Sequence, residues 1–255
     1  MPQHNRQTFL KIYKRLLEEF GPQAWWPAQT KFEVIVGAIL TQNTNWGNVE
    51  RAIKNLKAKN ILTPQSLKTI PLKKLAQHIR PAGYFNVKAK RLKNFMRFFF
   101  AEYNGDLKKM AREETDELRK KLLSVNGIGP ETADSILLYA LDKPIFVIDA
   151  YTKRIFYRHG LFNHGIDYAA AQNAFMASLD SDLKLYNEYH ALIVRLGKDF
   201  CKTRPRCEIC PLNSLHYSLK YKCRHCHRVL LFVHERRVVE GNYLCSTCNT
   251  NKKFA

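Results

Sequence analysis

The most constraining feature of the sequence is a glycine-containing loop between two apolar helical faces, within residues 121–149 (KLLSVNGIGPETADSILLYALDKPIFVID). Leucine and valine side chains at helical spacing precede the loop, and alanine, isoleucine and leucine side chains follow it. Gly127 and Gly129 permit backbone angles that other residues avoid and let the chain approach a ligand closely. Pro130 suits the first turn of the second helix, because a proline there loses no hydrogen bond. The stretch therefore predicts two helices joined by a tight hairpin.

The same hairpin predicts a phosphate-binding site. The free N–H groups and the dipole of the second helix would face the anion, while Ile128 packs between the helices. A tight turn without a ligand is the alternative, and a lone glycine pair would favour it. Lysine and arginine outnumber aspartate and glutamate by 42 to 22 in the 255 residues, and this surplus favours binding to a polyanion. The charge alone would also suit a ribosomal or chromatin protein.

The fold class follows from the spacing of the apolar residues. Helical periodicity runs to about residue 216 and strand-like alternation is nearly absent there, which predicts an all-α protein. The almost wholly apolar stretch 31–42 (KFEVIVGAILTQ) predicts a buried central helix. No signal peptide is visible at the polar N-terminus, and no apolar run approaches the roughly 20 residues that span a bilayer.

Asp149 stands behind an apolar run and directly before the helical stretch 150–158. Its simplest role is that of an N-cap, and the helix N-terminus would keep the carboxylate ionised at neutral pH. An ionised carboxylate beside a phosphate-binding hairpin also suits cleavage of an N-glycosidic bond. It would stabilise the oxocarbenium-like sugar and orient or deprotonate the attacking water.

Four motifs together resemble those of the helix-hairpin-helix DNA glycosylases of the endonuclease III superfamily, over about residues 5–216. They are LTQNT at 40–44, PAGYFNVKAKRL at 81–92, NGIGPETA at 126–133 and the aspartate at 149. The resemblance implies a base excision repair enzyme that hydrolyses the N-glycosidic bond of a damaged base in double-stranded DNA. Such an enzyme must expose the base, which costs a few kcal/mol of unstacking.

The resemblance also assigns roles to individual residues. It implies that Asp149 is the catalytic carboxylate and that Gly127, Ile128 and Gly129 contact a DNA phosphate. It implies further that Gln42 fills the gap left by the flipped base and that Tyr84 acts as a wedge.

Position 131 bears on the subclass. Bifunctional members of the superfamily carry a lysine two residues after the second hairpin glycine, and that lysine forms a Schiff base with the sugar. This sequence has Glu131 at that position, and a carboxylate cannot form an imine. We therefore expect a monofunctional glycosylase that uses water as its nucleophile. A bifunctional glycosylase and AP lyase like endonuclease III is the alternative.

The three tryptophans flank the first of these motifs, and Trp25, Trp26 and Trp46 are similar in placement to aromatic residues of the bacterial 3-methyladenine DNA glycosylases. This resemblance implies a pocket for an alkylated purine, and a tryptophan face attracts such a cationic base. The alternative is that the tryptophans are core residues. A substrate with uracil, a thymine mismatch or adenine opposite oxidised guanine also remains open.

Seven cysteines fall within residues 201–248, which favours metal ligands over disulfides. Cys223, Cys226, Cys245 and Cys248 have zinc-ribbon spacing, with a strand-like stretch at 229–233 and a turn at 241–242 between the pairs. We expect this basic segment to fold around zinc and to bind DNA. The alternatives are a stabilising cap and a partner-binding module.

The remaining cysteines are Cys201, Cys207 and Cys210, in GKDFCKTRPRCEICPL. They resemble the iron–sulfur loop of the superfamily, in which a fourth cysteine lies six positions after the third. His216 occupies that position here. The four residues would bind a [4Fe–4S] cluster, bind zinc as a three-cysteine, one-histidine set, or form a loop without metal.

The resemblance implies two helical lobes and a smaller module. Residues 28–141 would form a barrel-like lobe with the hairpin, residues 1–27 and 142–217 a second lobe, and residues 218–255 the zinc-ribbon-like module. We expect a monomer in the cytoplasm, associated with the nucleoid and with no membrane. The alternative from a different class is a non-catalytic DNA-binding protein that kept the hairpin.

Overall fold

The structure is a computed structural model that describes residues 6–23, 25, 28–215, 237–239 and 242–244. Within these residues the helices are α1 (Arg6–Phe20), α2 (Lys31–Thr41), α3 (Trp46–Ala58), α4 (Pro64–Thr69), α5 (Leu72–His78), α6 (Phe85–Tyr103), α7 (Leu107–Arg112), α8 (Thr115–Ser124), α9 (Pro130–Ser135), α10 (Ala150–Arg158), α11 (Tyr168–Ser178) and α12 (Leu183–Asp199). A 3-10 turn lies at Arg80–Ala82, and a π-helical turn at Ile136–Ala140. The all-α class and the helix-hairpin-helix are confirmed.

The chain divides into two compact units. The unit that contains the hairpin, here called the hairpin unit, is formed by residues 24–147 and 181–188. The unit that contains Asp149, here called the carboxylate unit, includes residues 6–23, 148–180 and 189–215. From the sequence, the lobe with the hairpin was expected to begin at residue 28 and to end at residue 141.

Helix α2 forms the centre of the hairpin unit. Every residue from Phe32 to Leu40 is buried, and all of them except Glu33, which pairs with Lys57 at 2.8 Å, are apolar. Thr30 caps its N-terminus by accepting a hydrogen bond from the Glu33 amide at 3.1 Å. The aromatic side chains of Phe95 and Phe99 on α6 are also fully buried in this unit. The predicted central helix is therefore present over 31–41.

The carboxylate unit has an aromatic core. The Phe9 ring of α1 lies 5.5 Å from the Phe156 ring of α10 and 4.9 Å from the Phe175 ring of α11, measured between centroids. The hydroxyl of Tyr189 on α12 donates to the Phe9 carbonyl at 2.9 Å. This bond gives a partner to the one polar atom of the buried Tyr189 side chain. Four helices distant in sequence are thereby joined in one core.

Two local features differ from the sequence expectations. Helix α7 was not expected, although Asp106 caps it by accepting from the Lys108 amide at 2.7 Å. The second helix of the hairpin, expected to run on from Pro130 as one regular helix, is α-helical only to Ser135 and then becomes the buried π-helical turn. Wide turns of this kind commonly insert one extra residue into a helix, which helical periodicity alone does not reveal.

The C-terminal segment contains one described element, an antiparallel ribbon of β1 (Arg237–Val239) and β2 (Asn242–Leu244). Arg237 pairs with Leu244 and Val239 with Asn242. In sequence the ribbon lies between Cys226 and Cys245. The strand predicted at 229–233 and the four zinc-ribbon cysteines lie outside the described residues.

Candidate functional site

The hairpin joins α8 to α9 through residues 125–129. Gly127 has a φ of +96°, and a Cβ at this position would overlap the Cγ atom of Arg91, so both the angle and the close approach require glycine. Gly129 differs from the expectation, because its φ is −96° and its ψ is 178°, which is extended backbone open to any residue. A Cβ on Gly129 would meet no atom within 4 Å. Gly129 therefore leaves open space at the start of α9 rather than supplying an unusual angle.

The inner side of the hairpin is buried and joined by an ion pair. Ile128 is buried, as predicted. Arg119 on α8 donates to Asp134 on α9 through two bonds, Nε to Oδ1 at 2.6 Å and Nη2 to Oδ2 at 3.0 Å. Asp134 is fully buried, so this bidentate pair fixes the two helices to each other in a low-dielectric environment.

Gln42 is held against the hairpin loop. Its amide nitrogen donates to the Gly127 carbonyl at 3.0 Å and to the Thr132 hydroxyl at 2.8 Å. Its amide oxygen accepts a hydrogen bond from Arg91 of α6. Both amide hydrogens are thus used, and one lone pair of the oxygen remains for a further partner. One turn further along α6, the Asn94 amide donates to the Asn126 carbonyl at 2.9 Å.

Tyr84 has an unusual backbone conformation for an aromatic residue. It precedes α6 with φ 45° and ψ 32°, in the left-handed region, and its side chain is 72% exposed. Val87, one turn into α6, is also an exposed apolar side chain. A bulky residue in this region stores strain of about 1–3 kcal/mol and commonly marks a functional site.

Two of the three tryptophans are among the described residues, and both lie in the hairpin unit. Trp25 and Trp46 are both half-buried, and Trp46 begins α3 directly after the N-cap Asn45. Trp26 lies outside the described residues. Glu131 is exposed in the first turn of α9, where its charge is favourable for the helix dipole.

Asp149 caps α10 in the carboxylate unit. Its Oδ1 atom accepts from the Thr152 amide at 2.7 Å and from the Thr152 hydroxyl at 2.8 Å. Its Oδ2 atom lies 3.6 Å from Nε2 of His190 on α12. Burial alone would raise the pKa of Asp149, but His190 and the two Thr152 bonds outweigh burial and hold the pKa below its usual value. The side chain is 11% exposed, so an ionised and partly accessible carboxylate results.

His190 is a functional candidate that the sequence did not reveal. It is buried and lies within the apolar stretch of α12, where a histidine is ordinarily a core residue. Nothing local in the sequence links it to Asp149, because the two meet only through the packing of α10 and α12. A search for buried polar residues in otherwise apolar helices would have singled it out.

Cys201, Cys207 and Cys210 line one small pocket in the carboxylate unit, next to Arg158 and His159. The Arg158 guanidinium donates to the Cys201 sulfur at 3.3 Å and to the Lys202 carbonyl at 2.6 Å. Burial, with a contribution from the other two thiols, raises the pKa of Cys210 to about 11. Within the described part of the chain, no three His, Cys, Asp or Glu side chains are arranged to hold a single metal ion. His216 lies outside that part.

Sequence similarity relates most of the chain to known proteins. Residues 36–180 match the family described as HhH-GPD superfamily base excision DNA repair protein. A protein of Methanocaldococcus jannaschii, named as a candidate DNA repair glycosylase, is 50% identical over 84% of this chain and 98% of its own length. Endonuclease III of Sulfolobus acidocaldarius is 31% identical over 72% of this chain and 80% of its own length.

A solved structure is similar as well. The 3-methyladenine DNA glycosylase of Helicobacter pylori, determined with bound 1,N6-ethenoadenine, superimposes with a TM-score of 0.65 and 30% identity. The match covers 76% of this chain and 97% of that one. The fold and the hairpin thus define a helix-hairpin-helix DNA N-glycosylase. The chain belongs to the HhH-GPD superfamily of base excision DNA repair proteins.

None of the described helices combines the length and the apolar composition that crossing a bilayer requires.

Proposed function

We propose that this protein is a monofunctional DNA glycosylase that releases alkylated purines from double-stranded DNA. The proposal rests on two carboxylates, the ionised and partly accessible Asp149 and the exposed Glu131. The first can stabilise a sugar cation, and the second stands where a bifunctional enzyme needs an amine.

The hairpin would bind the DNA backbone. The open space in front of Gly129 lets a phosphate approach the first turn of α9, whose dipole favours an anion. The Arg119–Asp134 pair supports this role, because it fixes the hairpin before DNA arrives. The surplus of basic residues would add sequence-independent affinity.

Asp149 would act on the sugar through Oδ2, since Oδ1 is occupied by Thr152. As the bond between C1′ and the purine nitrogen breaks, its electron pair leaves with the base, and the positive charge of an alkylated purine is cancelled. The carboxylate stabilises the resulting oxocarbenium-like sugar. Water then adds to C1′, and its proton passes to Asp149 or to solvent.

Release of an alkylated purine demands little acid catalysis, because the leaving base departs neutral. The half-buried Trp25 and Trp46 would contact this base, since tryptophan faces attract cations. The exposed Tyr84 would separate the stacked bases, and Gln42 would face the gap that the flipped nucleotide leaves. The similarity to the 3-methyladenine DNA glycosylase supports this substrate class.

The three clustered cysteines suit an iron–sulfur cluster. They line one pocket, and each cysteine of such a cluster would bind a different iron. The Arg158 donor beside Cys201 suits a charged thiolate. We propose that Cys201, Cys207, Cys210 and His216 hold a [4Fe–4S] cluster with a structural role.

For the C-terminal segment we propose a zinc ribbon held by Cys223, Cys226, Cys245 and Cys248, and the β1–β2 ribbon between the cysteine pairs supports it. The lobe and module boundaries, the monomeric state and the location near the nucleoid remain predictions.

The deciding experiment is mass spectrometry of the bases that the purified protein releases from methylated, deaminated and oxidised duplex DNA. We expect 3-methyladenine and 7-methylguanine from the methylated duplex, with no enzyme–DNA adduct after borohydride treatment. Release of other bases would change the substrate class, and a trapped adduct would contradict the water nucleophile. A protein that binds duplex DNA but releases no base would be the non-catalytic alternative.

A further inference from the structure

Lys88 on α6 is a buried cation at the junction of two loops. Its side chain is 1% exposed. The ammonium donates to the Leu40 carbonyl at 2.8 Å and to the Ala82 carbonyl at 2.7 Å. Lysine is among the residues least often found fully buried, so a position of this kind calls for a physical reason.

Both acceptor carbonyls end helical segments. Leu40 lies in the last turn of α2, and Ala82 ends the 3-10 turn at Arg80–Ala82. Carbonyls at such ends lack partners within their own helix and carry the negative end of the helix dipole, so a cation satisfies them well. Among the described residues, Lys88 forms no ion pair with a carboxylate. Burial, and secondarily Arg91, lowers the pKa of Lys88 to about 8.

Each carbonyl is followed closely by a residue proposed to enter the duplex. The plug segment, residues 40–45, carries Gln42 and then Asn43 in the left-handed region, with φ 53°. The wedge segment, residues 80–84, carries Tyr84 in the same region. One ammonium therefore joins two segments that are separate in sequence and that both leave a helix for a strained turn.

We propose that Lys88 is a positioning residue that fixes the plug segment relative to the wedge segment, so that Gln42 and Tyr84 meet the duplex as one unit. The proposal rests on the function proposed above for Gln42 and Tyr84. Lys88 itself touches neither DNA nor the reacting atoms. Its bonds to two backbone carbonyls set where each segment begins, and an apolar side chain could not make them.

The same helix offers a matched control. Lys93 donates to the Leu67 carbonyl at 2.9 Å and to the Lys68 carbonyl at 2.8 Å, both in the last turn of α4. Burial lowers the pKa of Lys93 as well. Lys93 thus makes the same pair of carbonyl bonds from a half-buried position, at a helix end that carries no residue proposed to contact DNA.

The test compares Lys88→Met with Lys93→Met in the full-length protein. The probe is a duplex with one tetrahydrofuran abasic analogue, measured against the intact duplex of the same sequence, so that no base has to be cleaved. We expect Lys88→Met to prefer the abasic duplex about tenfold less strongly than the wild type does. This difference corresponds to the loss of one charge-assisted hydrogen bond. Affinity for the intact duplex should not change. Lys93→Met should keep the full preference.

The outcomes separate this proposal from the proposed function. Equal preference in wild type, Lys88→Met and Lys93→Met would overturn the role of Lys88 alone. A wild type without any preference for the abasic duplex would overturn both proposals. If Lys88→Met does not fold, hydrogen exchange of the wild type decides: the plug and wedge segments should gain protection together on the abasic duplex, and protection of one segment alone would refute the coupling.

Discussion

The Oδ2 atom of Asp149 lies 3.6 Å from Nε2 of His190, while Oδ1 of the same carboxylate is bound twice by Thr152. The two oxygens therefore have different environments, one committed to the cap of α10 and one facing a buried imidazole. This division allows one residue to stabilise the fold and to present a charged oxygen for chemistry.

Removal of the imidazole should raise the pKa of Asp149. Burial raises the pKa of Asp149 and His190 lowers it, so a His190→Leu variant removes part of what opposes the effect of burial. We expect the acid limb of the base-release rate to move to higher pH, with binding to intact duplex unchanged. The measurement is single-turnover release of methylated purines against pH, corrected for spontaneous loss. A uniform fall in rate at every pH would instead indicate a structural defect.

Replacement of the carboxylate should separate catalysis from capping. Asparagine caps helices about as well as aspartate, so Asp149→Asn should fold normally but release bases about a hundredfold more slowly or worse. Asp167→Asn is the control, because Asp167 caps α11 by accepting from the Ala170 amide at 2.7 Å and is exposed. That variant should keep wild-type activity. Substantial base release by Asp149→Asn would remove Asp149 from the mechanism.

The two hairpin glycines should respond differently to alanine. Gly127→Ala combines a φ of +96° with overlap of Arg91, and it should destabilise the fold by about 1–3 kcal/mol. Gly129→Ala has ordinary angles and open space, so its unfolding free energy should stay within about 0.5 kcal/mol of wild type. Its affinity for duplex DNA should nevertheless fall, because the methyl group fills the space for a phosphate. Denaturant unfolding and fluorescence anisotropy measure the two effects, and unchanged affinity in Gly129→Ala would argue against phosphate binding there.

The buried ion pair within the hairpin should matter far more than its exposed neighbour. Arg119→Met leaves the Asp134 carboxylate buried without its bidentate partner, which should cost about 3–5 kcal/mol of unfolding free energy. Lys120→Met removes only an exposed pair with Glu117 and should cost no more than about 1 kcal/mol. Equal losses in urea unfolding would show that the Arg119–Asp134 pair does not fix the hairpin.

The lowered pKa of Lys88 predicts a specific pH window. Between the folded-state pKa of about 8 and the ordinary value of 10.5, the unfolded chain binds more protons at this site than the folded chain. The unfolding free energy of the wild type should therefore rise with pH relative to Lys88→Met, by about 3 kcal/mol at most. Paired denaturant titrations from pH 7 to pH 10.5 check this. Parallel curves for the two proteins would mean that Lys88 titrates normally.

Local patterns predicted much of this molecule. The buried α2, the hairpin and the cap at Asp149 all follow from residues close together in sequence. The extended angle of Gly129 and the π-helical turn were missed, because glycine and helical periodicity are each compatible with several backbone paths. His190 and Lys88 were missed for another reason: their partners lie far along the chain, so only the packed fold brings them together.

With the wedge role proposed for Tyr84, an aromatic side chain that the fold already holds outward would change how such a protein searches DNA. Because folding fixes the left-handed backbone at Tyr84, no loop has to become ordered when the ring meets a stack of bases. Sampling of successive base pairs would then depend on how readily each stack opens, and stacks at a damaged base open most readily. A molecule sliding along a genome would pause at weak stacks before any base is recognised by its chemistry.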